Sequence, residues 1–234
     1  MVLLASDLLF GVTRTLLYTL IGGLAGGEQG LVFALVGSSA LSMATWTVAK
    51  VSDVPMWERW FGTYGRQARS GADPFAMFAV RSVPDAAGGA ASVLVNLMIV
   101  GVVVGHPGVA VRALACSPLL LASVFATTML GLFAIAPAIA SRYDTLTYNL
   151  AISVLTVASG AIYPVASIPV VRVISQVLPL THGIAAVRAA MAGGGWLPQV
   201  LAELAVGAGW GVAAWGVYRI HDHRGRSNGT GVYE

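Results

Sequence analysis

The apolar residues of this chain lie in runs about as long as a bilayer is thick, not in the short one-sided stripes of soluble helices. Only 10% of residues are charged and 57% are hydrophobic, whereas a soluble domain carries about 25% charge. A soluble fold of this length needs far more polar surface to cover its core. Lipid is therefore the solvent. A spanning helix uses roughly 20 residues, so about six of them take half of the 234 residues and leave short loops with one or two longer ones. The expectation is an all-α polytopic bundle, with residues 1–234 as a single transmembrane domain.

The runs place the spans at about 8–25, 31–50, 86–104, 109–140, 146–162 and 198–217. The turn Gly26-Gly27-Glu28-Gln29-Gly30 separates the first two, His106-Pro107-Gly108 ends the third, and Pro118 and Pro137 interrupt the fourth. The first run carries Arg14. A charge at mid-bilayer costs about 2.5–3.5 kcal/mol on insertion scales, so Arg14 is expected near a membrane edge, snorkelling toward Asp7. Residues 163–197 are apolar but broken by Pro164, Pro169, Pro179 and Gly193-Gly194-Gly195. Prolines at that spacing exclude one continuous span, and irregular backbone at membrane depth must be buried or line a cavity. The segment reads as re-entrant, and residues 218–234 as a polar tail.

Charge placement orients the bundle. With the N-terminus inside, Lys50, Arg59, Arg66, Arg69, Arg81, Arg142, Arg219, Arg224 and Arg226 fall on the inner side, while Arg112, Arg172 and Arg188 fall outside. That asymmetry fits both termini facing the cytoplasm in a bacterial cell membrane. The net charge of +3 is too slight and scattered for nucleic-acid binding. Cys116 is the one cysteine, so no intrachain disulfide forms. The N-terminus lacks the basic start and small-residue cleavage site of a secretory signal.

Two polar-interrupted segments remain. In residues 51–85, Asp53 is an expected N-cap with Pro55 in the first turn, followed by Trp57, Trp60, Phe61 and Tyr64 on one helical face. Such a helix lies at the headgroup boundary or docks into a groove of a partner. Asp73-Pro74 is a second helix start. The other segment contains Ser159-Gly160, Tyr163-Pro164, Ile168-Pro169, Pro179-Leu180-Thr181-His182 and Arg188. This order of elements resembles the C-terminal signature of the type-2 ABC transporter permeases, which include the daunorubicin-resistance-type drug exporters and the polysaccharide exporters. Glu58-Arg59 followed by Gly62-Thr63 resembles the acidic-basic pair and Gly-Thr that family members carry after the second helix. Tyr64 stands where the family usually has Leu, a second nearby acid is missing, and the stretch before the first span is shorter than the amphipathic helix common in the family. The resemblance extends over residues 31–217.

The resemblance implies that Trp57, Glu58, Arg59, Trp60, Gly62 and Thr63 belong to a coupling helix that fits a cleft on a cytoplasmic ABC ATPase. It implies that Tyr163, Pro164, Pro169, Pro179, Thr181, His182 and Arg188 belong to short external helices that cap the substrate route. It also implies a dimer of permeases, identical or homologous, with two ATPase subunits. ATP and Mg would then sit on the partner, with no cofactor in this chain. A P-loop requires Gly-Lys before Ser or Thr, and the one lysine, Lys50, is flanked by Ala49 and Val51. No G-x-S-x-G or H-E-x-x-H occurs, and His221-Asp222-His223 reads as a solvated tail. Asn96 and Glu203 are the polar groups within spans that could line a substrate path or bond between helices. A lipophilic drug, a lipid or a lipid-linked glycan fits the apolar lining equally. The alternatives are a transporter or channel not driven by ATP, which would need inverted repeats or pore charges, and an intramembrane enzyme, which would need a catalytic set.

Overall fold

The computed structural model describes residues 2–63, 72–137, 144–164 and 168–228, and among these it contains helices and turns with no strand. The first helix, α1 (Val2–Trp60), is 59 residues long. Run straight it would reach about 90 Å, three times the hydrocarbon thickness. It does not run straight. Gly26 and Gly27 leave helical geometry, Gly27 at φ +60° and ψ −146°, a conformation open to glycine and strained for other residues. The chain folds back there into two antiparallel limbs. Asp7 meets Lys50 at 2.8 Å, Arg14 bonds Thr45, and Thr19 Oγ1 lies 3.4 Å from Ser38 Oγ.

The second limb is the central post of the bundle. Its small residues, Gly37-Ser38-Ser39-Ala40 and onward to Thr45, are buried and let neighbouring backbones approach closely. The Ser38 hydroxyl donates to the Ala34 carbonyl at 2.6 Å and Thr45 to the Ser42 carbonyl at 3.0 Å, back along the limb, while the buried Ser39 hydroxyl has no partner. Around the post pack α3 (Val83–Val103), α5 (Leu121–Ile135) and α6 (Asp144–Ala158), with Leu35, Leu41, Met43 and Val48 fully enclosed. Between these, α2 (Pro74–Arg81) starts at Asp73, whose carboxylate accepts the Phe75 N–H at 3.3 Å, and α4 (Pro107–Cys116) starts after Gly105. A 3-10 turn at Ser117–Leu120 follows from Pro118.

The bent pair comes next. α7 (Pro169–Val177) and α8 (Thr181–Met191) meet at 94° across Leu178-Pro179-Leu180, so this segment is two short helices at a sharp bend and not one continuous span. The last helix, α9 (Leu197–Asn228), packs on α5. Among the described residues, four continuous helices are long and apolar enough to cross a membrane, or five with the bent pair taken as one span. That is below the six expected. The difference lies in α1, which is one helix by assignment and two limbs by path, and in α6, whose 15 residues fall short of a bilayer.

Three local expectations are corrected. No separate helix begins at Asp53: the second limb runs through Pro55 to Trp60, because Val51 packs against Phe78, Leu132 and Tyr218 and the Ser52 hydroxyl bonds the Gly131 carbonyl at 3.3 Å. Arg14 does not snorkel to Asp7, which is already paired with Lys50. The last span does not give way to a separate tail at Tyr218: α9 continues to Asn228, with Tyr218 buried against Phe75 and Phe78.

Candidate functional site

Two buried charges tie the bent pair into the bundle, Glu203 of α9 at its corner and the pair's own Arg188 near the end of α8. At its corner Leu180 adopts φ +81°, the one non-glycine residue in that region among the described residues. This turns the N–H groups of Leu180 and Gly183 to one side. Both donate to the Glu203 carboxylate on α9, at 2.5 and 3.0 Å, and Glu203 is fully buried. A helix leaves its first N–H groups unsatisfied and carries partial positive charge there. Glu203 supplies the acceptor and the opposite charge. The N-cap position falls on Leu180, which has no polar side chain to cap with, and the neighbouring Thr181 Oγ1 is buried without a partner.

Arg188, on the last turns of α8, does the converse for α6. Its guanidinium donates to the carbonyls of Gly160 at 3.2 Å and Ala161 at 3.3 Å, just past the end of α6, and to Phe33 of the second limb at 3.0 Å. It also stacks on the Phe33 ring at 3.4 Å. A side chain at Gly37 would strike the Ala161 carbonyl, so the absence of a Cβ there sets the close approach. Around the corner, His182 Nε2 donates to the Gln176 carbonyl at 3.1 Å, Trp210 Nε1 donates to Val177 at 2.8 Å, and the Tyr163 hydroxyl bonds the Val157 carbonyl. Pro164 is exposed and Pro169 opens α7. An outward cavity of about 430 Å³ lies beside this assembly, lined by Glu28, Phe33, Arg112 and Arg188 among others.

At the opposite end, the second limb finishes in a complete helix stop. Gly62 has φ +66°, the Thr63 N–H reaches the Glu58 carbonyl at 2.9 Å, and the Gly62 N–H reaches Arg59 at 3.1 Å. These two bonds form the Schellman arrangement, so Gly62-Thr63 is a helix cap in chemical terms. The Glu58 carboxylate takes the Thr63 hydroxyl and Arg81 of α2, tying the cap to the next helix. Trp57, Trp60 and Phe61 form an aromatic cluster, Trp60 edge-on to Trp57 at 5.3 Å and Phe61 stacked on it at 5.7 Å, and stand 50%, 65% and 71% exposed. The expected single helix from Trp57 to Gln67 is corrected: it stops at Trp60, because Gly62 and Thr63 cap it, and residues 64–71 fall outside the described residues.

The family model described as ABC-2 type transporter matches residues 4–192, both limbs of α1 through the end of α8. No curated protein and no solved structure matches the chain. The chain belongs to the ABC-2 type transporter family. It is a membrane protein and the permease-type subunit of an ABC-type transporter.

In this ABC-2 transporter subunit, the motif residues gather into two separate places. Tyr163 to Arg188 lie around the bent pair, and Trp57 to Thr63 lie at the far end of the second limb. Asn96 joins neither. It is buried on α3 behind Gly11 and Ser42, with its Oδ1 unpartnered. Glu203 is enclosed on the bent pair's corner, not hydrated, and belongs to the motif cluster although it lies beyond the matched residues. Sequence reasoning had a signal for this: a lone acid inside a span is kept for a partner, and α8 begins without any acid of its own.

Proposed function

We propose that this subunit is the membrane path of an ATP-driven exporter, working as a permease dimer with two separate ABC ATPase chains at its Trp57–Thr63 end. The supporting observation is the exposed aromatic cluster Trp57, Trp60 and Phe61 on a rigidly stopped helix. Three large rings left in the open at a helix end are suited to fill a partner's pocket. Glu58 is engaged inside the chain, so it orients the cap, and the rings make the contact. A lipophilic drug, a lipid or a lipid-linked glycan is the cargo, moved outward from a bacterial cell membrane.

Trp60→Ala and Phe61→Ala test the docking. Buried aromatic anchors typically cost about 2 kcal/mol or more on truncation, about a thirtyfold loss of affinity. Co-purification with the cognate ABC ATPase should fall, and substrate-stimulated hydrolysis with it, at unchanged permease yield, because both rings are mostly exposed. Undiminished association in both variants would sink this docking site.

The orientation has its own measurement. Basic residues are concentrated at one end of the bundle, so that end should face the cytoplasm with both termini. With Cys116 replaced, a cysteine at Arg172 should react with an impermeant external reagent in intact cells and one at Arg69 should not. Reaction at Arg69 from outside reverses the topology.

A further inference from the structure

Near the Asp7–Lys50 end, the two limbs of α1 and the start of α6 enclose a cavity of about 320 Å³ that no motif touches. Arg14 lines it. Asp7 is seven residues away, about 10 Å of helix rise, so Arg14 sits about that much deeper than the Asp7–Lys50 pair. Its guanidinium bonds Thr45 and lies 5.9 Å from the Phe10 ring. Among the described residues it has no carboxylate partner, since Asp7 is taken by Lys50. The remaining polar lining is uncharged, with Ser42, Tyr148 and Asn149 supplying hydroxyl and amide groups. Of the lining charges, Lys50 is met by Asp7, with Asp53 and Asp85 beyond it, so Arg14 is the charge without an opposite one beside it among the described residues. A cation at that depth is costly unless a polar partner or anion shares it, and this one has a threonine and an open space. Phe10 on the same wall is 69% exposed, as is Leu17 one heptad on at 53%, so the cavity has an apolar lateral edge.

We propose that this cavity binds the anionic head of an amphiphile, a phosphate or carboxylate, with Arg14 as its ligand and the chain leaving past Phe10. Arg is the residue suited to this because its planar fork matches two oxygens at once. The volume is at the small end for ligand pockets and holds a head and its first carbons, not a whole lipid. As a statement about cargo it rests on the transporter reading, which it narrows to anionic amphiphiles. As a statement about binding it does not.

The test uses the full chain in uncharged detergent and Trp46, which lines the cavity, as the reporter. 12-Bromododecyl phosphate should quench the fluorescence saturably, and a Trp46→Phe chain should lose that component. Arg14→Gln should weaken binding about tenfold or more, the scale of a charge-assisted bond, and Arg14→Lys should recover part of it. Arg172→Gln, an exposed cation elsewhere, should bind as wild type. The matching bromododecyl phosphocholine should bind at least about tenfold more weakly, since its head carries no net charge. Equal affinity for the two heads, or unchanged affinity in Arg14→Gln with normal unfolding temperature, overturns the proposal. Displacement by inorganic phosphate at equal concentration overturns the amphiphile and assigns the site to a soluble anion. Failure of the wild-type chain to associate with an ATPase would count against the transporter reading alone, because the quenching is measured without one.

Discussion

Glu203→Ala is expected to release the bent pair from the bundle. The substitution leaves the Leu180 and Gly183 N–H groups with no acceptor at a site closed to water. Each buried orphan donor costs about 1–3 kcal/mol, so the loss is about 4 kcal/mol, offset in part because a buried charge is no longer held out of water. The strained corner adds to it: Leu180 stays at φ +81° only while its N–H is held. Glu203→Gln should fall between, because the amide oxygen can accept while its NH₂ opposes a second donor. The readouts are the unfolding temperature in detergent and the labelling of a cysteine at Ser175. That residue is fully buried on α7 and should become reactive, with Cys116 replaced, only if the corner opens. A wild-type unfolding temperature and an unreactive Ser175→Cys in the Glu203→Ala background would mean that other groups hold the corner.

The parts of this fold that follow from composition and chain breakers were readable from the sequence. Pro169 and Pro179 cannot continue a helix, and they do open α7 and the corner before α8. Asp73-Pro74 does start α2, through the Phe75 N–H. Two of the failures share one cause. Pro55 and Asp53 resemble a helix start, yet tertiary packing of Val51 and Ser52 against α5 outweighs that local signal and carries the limb to Trp60. The polar letters from Tyr218 read as a separate tail, yet burial of its ring against Phe75 and Phe78 carries α9 onward. Local propensity is a weak prior wherever a long helix already has a packed face.

The motif residues were visible as letters, but their chemistry was not. Gly62-Thr63 is a helix cap, a role any sequence with glycine past a helix end can fill. Arg188 and Glu203 lie fifteen positions apart and serve different helix ends, which no spacing argument connects. What links them is the dipole: an acid sits at the start of α8 and a base just past the end of α6. In a chain with 10% charged residues, placing two of them at helix ends inside the bundle satisfies backbone groups that lipid cannot. That arrangement makes a broken span possible without water. It also explains why the segment tolerates proline where a continuous span would not.

Arg188→Ala should be nearly as damaging as Glu203→Ala, and Arg188→Lys should rescue it poorly. The guanidinium reaches three carbonyls on two elements, Phe33 on the second limb and Gly160 and Ala161 after α6, while lying flat on the Phe33 ring. An ammonium is a point charge without the fork or the stacking surface, so it serves one or two of these at most. The expected loss in Arg188→Ala is about 3 kcal/mol, from carbonyls left without donors where Gly37 holds the backbones too close for water. Both charges hold the same helix, α8, one at its start and one near its end. Once either is gone the helix is partly free, so removing the second should cost less than it does alone. The Arg188→Ala, Glu203→Ala double variant should therefore be less destabilised than the sum of the two singles by about 1 kcal/mol or more. Chemical unfolding of all four proteins in one detergent measures that difference. Strict additivity would show that the two charges anchor independent parts of the bundle, and α8 would then not be the single unit both of them hold.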